Sequence, residues 1–304
     1  MVRPAIGVFL PTMVERGDRL ADVATAARHV EDLGFESAWA VDQLVGGTGV
    51  PFVDSTVALG VAAGATSRLR LAYGVMVLPL RPVVWAAKQV ASLQEASHGR
   101  VLLGIGVGGD RHELSWAAAG VPRRHRGRAT DAALAVLPDL VAGKAVDLDD
   151  RTVRLAPGAP MPPVLVGGMS EAALARTVAH GDGWFALPIP PADLAPAIDR
   201  LGELADERGR PAPAVTGSVM ASIAGDPALP DRAGLERRLT DPDGMYGMPA
   251  GAIDDMVLTG GPAAVADRIA ALADLGAERV VLTLAGGDWM RQAELAAEAA
   301  ALVT

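Results

Sequence analysis

Short apolar runs and longer amphipathic ones take turns along this chain. The apolar runs sit at Ala5–Leu10, Ser37–Val41, Leu69–Val77, Val101–Gly106, Val164–Gly167, Gly183–Leu187, Val215–Ile223 and Arg279–Leu284. Each has the length of a strand, and the last is apolar almost without a break, as a strand covered on both faces should be. Between and after them, apolar residues recur at helical spacing near 19–33, 55–64, 82–97, 129–142, 170–180, 191–208, 262–275 and 288–302. In 19–33, Leu20, Val23, Ala24, Ala27, Val30 and Leu33 share one face, Asp22, Arg28, Glu31 and Asp32 face away, and Gly34 provides the stop. In 262–275, Pro262 suits the first helical position, Val265, Ile269 and Leu272 form the stripe, and Gly276 ends it.

Strict alternation of strand and helix predicts an α/β chain with a parallel sheet. Eight such units suit closure into a (β/α)8 TIM barrel; an open doubly wound sheet is the alternative that alternation alone leaves standing. Two stretches interrupt the pattern. In 144–162, Val146–Leu148 and Thr152–Leu155 flank a polar Asp149-Asp150-Arg151, which reads as a small hairpin excursion. Residues 224–261 are rich in Gly, Pro and Asp and follow the seventh strand. A long insertion at the C-terminal end of a barrel strand reads as a lid over the site, with an idle insertion as the other reading. Met245, Tyr246 and Met248 would give such a lid an apolar lining. No linker divides the chain, so 1–304 is expected to be a single domain.

Composition narrows the chemistry. Half the residues are apolar, enough for a sizeable core, and the net charge of −9 argues against a nucleic-acid partner. No apolar run approaches the ~20 residues of a membrane span. The first apolar run leads straight into polar sequence and reads as a strand rather than a secretory signal, so a cytoplasmic protein is expected. The chain has no Cys, which removes disulfides, thiolate nucleophiles and Cys-ligated metals. Its histidines, His29, His98, His112, His125 and His180, form no His-x-His or His-Glu-x-x-His pattern, so no metal site is expected. No Gly-x-Ser-x-Gly elbow or Walker loop is present either.

Glycines at strand ends remain. After the fourth strand comes Gly104-Ile105-Gly106-Val107-Gly108-Gly109-Asp110. It is a poor dinucleotide fingerprint, because no helix opens directly on it. Close approach of a flat ligand and plain tight packing are both open here. The fifth strand ends in Gly167-Gly168-Met169-Ser170 just before a helix. Ser170 is a good N-cap, and the exposed N–H groups and dipole of such a helix end suit a phosphate. Glu171 would have to point away from it, and an ordinary capped turn is the plainer reading. Arg123, Arg124, Arg126 and Arg128 cluster around His125, either as solvated surface or to attract an anionic tail.

Taken in order, these motifs resemble the bacterial-luciferase-like oxidoreductases, and in particular the branch that uses the deazaflavin coenzyme F420. The segments that carry the resemblance run from Ala38-Trp39-Ala40-Val41-Asp42-Gln43-Leu44 through Tyr73-Gly74-Val75 with Pro79 and Pro82, then Ala86-Ala87-Lys88-Gln89 and Leu102–Gly108. They continue through Pro163–Glu171 and Gly181–Trp184 to Gly260–Val265, so nearly the whole chain is covered. The resemblance implies a (β/α)8 barrel with a cofactor ring at the C-terminal ends of the strands. It implies a ring bed of Gly74, Val75, Gly106, Val107 and Gly108, with a non-prolyl cis peptide at Gly74-Val75. The cofactor phosphate would sit at Gly167, Gly168, Met169 and Ser170, and Asp42 and Gln43 would contact the ring or substrate.

One position departs from that family. Many members read Asp-His where this chain reads Asp42-Gln43, and glutamine hydrogen-bonds but does not titrate. A catalytic acid would then come from elsewhere; Asp110 is the candidate, with a cap on the next turn as its plainer role. The implied activity is hydride transfer between coenzyme F420 and a small organic substrate. The alternatives are an FMN-dependent monooxygenase using O2 and a non-catalytic deazaflavin-binding protein. The resemblance also implies a homodimer, with neither nucleic acid nor membrane as partner.

Overall fold

The computed structural model describes residues 3–46, 49–109, 113–249 and 251–303. The expected strands all form. β1 (Ala5–Phe9), β2 (Ser37–Ala40), β3 (Arg70–Val77), β4 (Val101–Gly106), β7 (Val164–Gly167), β8 (Gly183–Phe185), β9 (Ala214–Ile223) and β11 (Ala277–Leu284) pair in parallel, each with the next. β8 then pairs with β9, Gly183 opposite Ala214, and closes the ring. This is a TIM barrel, and the open-sheet alternative falls with that pairing.

Around the ring run α1 (Val23–Asp32), α2 (Ser55–Ala65), α3 (Val83–Ala96), α5 (Arg126–Val141), α6 (Glu171–His180), α7 (Pro191–Glu207), α10 (Pro262–Asp274) and α11 (Trp289–Leu302). A shorter α4 (Glu113–Ala119) precedes α5. Their starts follow local chemistry. The Asp22 carboxylate accepts from the backbone N–H groups of Ala24 and Thr25, and Asp54 and Asp288 cap α2 and α11 in the same way. The cap at Asp22 starts α1 later than the apolar stripe suggested and leaves Leu20 outside it, 43% exposed. At α5 the difference is opposite. The helix begins at Arg126, three residues early, continuing directly from the turn at Arg123–His125, and the Arg126 carbonyl also accepts from the Thr130 hydroxyl at 2.8 Å.

The excursion is an antiparallel hairpin of β5 (Ala145–Leu148) and β6 (Arg151–Arg154), turning at Asp149, whose φ is +53°. The described residues of 224–261 form a structured insertion. It holds α8 (Arg232–Thr240), α9 (Ile253–Met256) and β10 (Val257–Gly260), a further strand that lies outside the ring against the end of β9. It also has a small core of its own, in which Leu235, Leu239, Tyr246, Met248 and Ile253 meet Met220 and Ala285 of the barrel.

Two layers of packing set the position of the site. The main core lies between barrel and helices. The inside of the ring holds a separate plug of Trp39, Ala72, Leu102, Leu165, Phe185 and Val281. Trp39 stacks on Phe185 at 4.9 Å, and Phe9 tilts against both. Trp39 is anchored by its Nε1, which donates to the Ser37 hydroxyl at 2.9 Å.

Candidate functional site

Above that plug the third strand breaks register. Tyr73 faces Leu103 and Met76 faces Ile105, so Gly74 and Val75 share the single partner Gly104. The Gly74-Val75 peptide is cis, at the position the resemblance implied. Each neighbouring glycine has a definite task here. A Cβ on Gly74 would lie 2.5 Å from Phe9, and one on Gly104 would lie 2.1 Å from the Tyr73 carbonyl. Cβ atoms on Gly106 and Gly167 would press on the Val75 methyls at 2.5 and 3.2 Å. These glycines therefore admit the bulge and its isopropyl group first. Tight packing explains them, and Val75, not bare backbone, forms the raised floor. Gly109 is different, since a Cβ there would meet nothing within 4 Å.

A cavity of about 480 Å³ stands on this floor. It brings together Asp42, Gln43, Gly74, Val75, Gly106, Val107, Gly108, Gly167 and Gly168 from the C-terminal ends of four strands. Phe185 joins Val75 in the floor, Leu187, Phe52 and Met13 add apolar walls beside Val41 and Val77, and Met245, expected to line a lid, reaches the same cavity. Met169 is half-buried against the main core, and Ser170 is an exposed helix cap; both adjoin the cavity without lining it. Asp110 and His112 lie outside the described residues. Among the described residues no group of His, Cys, Asp and Glu could hold a metal ion.

Asp42 is buried, and its carboxylate is fully engaged. One oxygen accepts from the Ser55 hydroxyl at 2.8 Å, the other from the Val77 N–H at 2.8 Å and from Arg81 Nη2 at 2.5 Å. It thereby joins the ends of β2 and β3 to the start of α2. Arg81 was not foreseen, although it is a lone charge inside an apolar stretch, and that was the available signal. Gln43 donates from Nε2 to the Val45 carbonyl at 2.8 Å, which fixes the direction of its amide at the cavity wall.

The turn before α6 is equally constrained. Gly168 has φ +121°, in the region that favours glycine, and its carbonyl accepts from Trp184 Nε1 at 2.7 Å. Ser170 caps α6 by accepting from the Ala173 N–H at 3.3 Å. Glu171 is drawn aside by Arg200 of α7 at 2.8 Å, and this hydrogen bond holds its carboxyl below the usual carboxylate range. The Glu171 carboxylate is thus engaged with α7 at the start of α6. The arginine cluster divides its work. Arg126 donates to the Gly108 carbonyl at 3.0 Å and fixes that glycine at φ +71°, Arg123 pairs with Glu113 at 2.8 Å, and Arg124 and Arg128 flank His125.

Trp184→Phe is expected to lower stability by about 1–3 kcal/mol, through one lost hydrogen bond and lost ring volume. Chemical denaturation measures it, and no change would mean that Trp184 does not hold the turn.

Comparison with known proteins adds three findings. A sequence model of the luciferase-like monooxygenase family matches residues 5–233. An uncharacterized protein of Mycobacterium tuberculosis is 33% identical over 172 residues, 54% of this chain and 58% of that protein, so the match spans little more than half of either. Among solved structures, an F420-dependent secondary alcohol dehydrogenase in complex with an F420-acetone adduct superimposes with a TM-score of 0.80 over 100% of both chains at 18% identity. The FMN-bound oxygenating constituent of 3,6-diketocamphane monooxygenase from Pseudomonas putida, a type II Baeyer-Villiger monooxygenase, superimposes with a TM-score of 0.75 over 100% and 99% of the two chains at 15% identity. At these identities the likeness is one of fold.

Proposed function

The chain belongs to the luciferase-like monooxygenase family, and on that premise we propose that it is an oxidoreductase transferring a hydride between coenzyme F420 and a small organic substrate. The observation that carries this reading is the make-up of the cavity. Its floor is an isopropyl group and an aromatic ring, its sides are apolar, and among the described lining residues Asp42 is the only titratable one. Such a surface fits the face of a flat, weakly charged ring, and it offers position and dryness rather than acid–base groups. The bound cofactor would supply the two-electron chemistry.

The chain's own residues would do the rest. Val75 and Phe185 would support the ring face, and the Gly106–Gly109 backbone would run along its edge. Gln43, its amide fixed by Val45, would hold a substrate hydroxyl or carbonyl without gaining or losing a proton. The Gly168 turn and the start of α6 would hold the phosphate through backbone N–H groups. Asp42 would position the floor rather than touch substrate, because its oxygens already have their donors.

The order of the motifs and the F420-dependent structural neighbour support the deazaflavin. The FMN-bound neighbour supports a second reading, a monooxygenase using FMN and O2 in the same cavity. Titrating the purified protein with each cofactor separates them. Coenzyme F420 is expected to bind at least about tenfold more tightly than FMN. Tight FMN binding without F420 binding would replace the first reading by the second. Stoichiometric F420 binding without redox turnover over a broad panel of alcohols and ketones would leave a carrier protein.

A further inference from the structure

A second cavity, of about 160 Å³, opens beside the first at the C-terminal ends of β1 and β11. Its walls are aromatic, with Phe9 from β1, Trp289 from α11 and Tyr246 from the insertion. Trp289 is fixed by donating from Nε1 to the Phe9 carbonyl at 3.2 Å. Its charged lining consists of Glu15, Asp18 and Arg238. The two cavities share Met13, Val41 and Met245, which therefore stand between them.

That partition is made of adaptable material. Of the chain's 10 methionines, Met13, Met220, Met245, Met248 and Met256 gather around the small core of the insertion. Methionine is unbranched and polarizable and refills irregular space at low cost. Met13 and Met245 are both half-buried where they pack against that core. The segments carrying them are also clamped together. Arg16 donates to the Asp243 carbonyl at 3.0 Å, and Arg238 lies 3.7 Å from Glu15. The framework on both sides of the partition is thereby held.

We propose that this second cavity is the outer chamber of the substrate site. It receives an apolar, non-anionic group of the substrate, of about the size of a benzene ring, and Met13 and Met245 form the adaptable wall between that group and the reacting centre. The proposal rests on the first cavity being the ring site. Aromatic walls favour a flat apolar group. Two carboxylates against one guanidinium leave the charged lining net negative and disfavour an anionic tail. The substrate class is thus an elongated apolar molecule, its reacting carbon in the first cavity and its apolar end in the second.

Indole is the probe, its binding followed by calorimetry without cofactor. To confine it to the outer chamber, the ring cavity is first filled by Gly109→Trp, at the position where an added side chain has open space. Val14, which lines only the outer chamber, is then replaced in that background. The Gly109→Trp protein is expected to take up indole saturably at millimolar concentration. Adding Val14→Trp should weaken this at least about tenfold, and indole-3-acetate should bind several-fold more weakly than indole. Should the tryptophan double variant not fold, Val14→Phe is expected to act in the same direction. Indole affinity unmoved by a folded Val14 variant, tighter binding of indole-3-acetate, or no saturable uptake would each overturn the proposal. Failure of the cofactor reading looks different. A protein that binds no F420 yet takes up indole as described would lose the ring site and keep the chamber.

Discussion

Asp42→Ala is expected to lower the stability of the folded protein by about 3–5 kcal/mol. Asp42 is 4% exposed, and its carboxylate receives three donors, one from α2, one from β3 and one from the turn before α3. Removing it leaves the Arg81 guanidinium, whose side chain is 18% exposed, without its charge partner. It also strands the Val77 N–H in a buried position. Gln89 does not make up the loss, since it accepts from Arg81 only at 3.4 Å. Asp42→Asn should cost roughly half as much, because the amide oxygen can still accept from Ser55 or Val77 while the charge is lost. Urea denaturation of the three proteins measures both effects. A cost below about 1 kcal/mol for alanine would mean that this hub does not hold the ends of β2 and β3.

The second large effect concerns binding rather than folding. Gly109→Trp is expected to weaken coenzyme F420 binding at least about 100-fold while changing stability by less than about 1 kcal/mol. Most glycines of the site cannot be used in this way. A side chain at Gly104, Gly106 or Gly108 would first collide with Tyr73, Val75 or Trp116, so lost binding would be confounded with a damaged fold. Gly109 lines the cavity, and an added Cβ there meets nothing within 4 Å. Gly109 is exposed on the cavity rim, and an indole folded inward from it would occupy space assigned to the cofactor. Fluorescence titration against the parent protein reads the affinity, and an unchanged value would place the ring elsewhere.

Much of the architecture was legible in the sequence, because it depends on periodicity. The alternation of apolar runs and amphipathic stripes depends only on which faces are covered, and it gives the parallel sheet and the eight units, while closure rests on the β8–β9 pairing. A cap such as Ser170 acts within three residues, so local pattern finds it. What depends on contacts across the barrel was hidden. Leu20 continues the stripe of α1, yet the Asp22 cap excludes it from the helix. β10 is a four-residue strand whose partner β9 lies beyond two helices in sequence, and no pattern announces it.

The site was legible in position and less so in cause. The glycines after β4 and β7 do mark the cavity, but chiefly because Val75 needs the room that their missing side chains leave. A glycine in a sequence shows that space is wanted and not what fills it. Asp42, which the resemblance implies contacts ring or substrate, lines the cavity, but its donors come from residues 55, 77 and 81, pairings that only the closed barrel creates. Trp184 was noticed as a motif residue, but its hydrogen bond to the Gly168 carbonyl follows from β7 and β8 lying side by side.

The most direct measurement is a crystal structure of the protein grown with coenzyme F420. The account predicts the deazaflavin ring in van der Waals contact with the Val75 side chain, one edge along Gly106–Gly109, and the phosphate at the start of α6. A ring bound outside this cavity, or a cavity filled only with solvent at saturating cofactor, would contradict it.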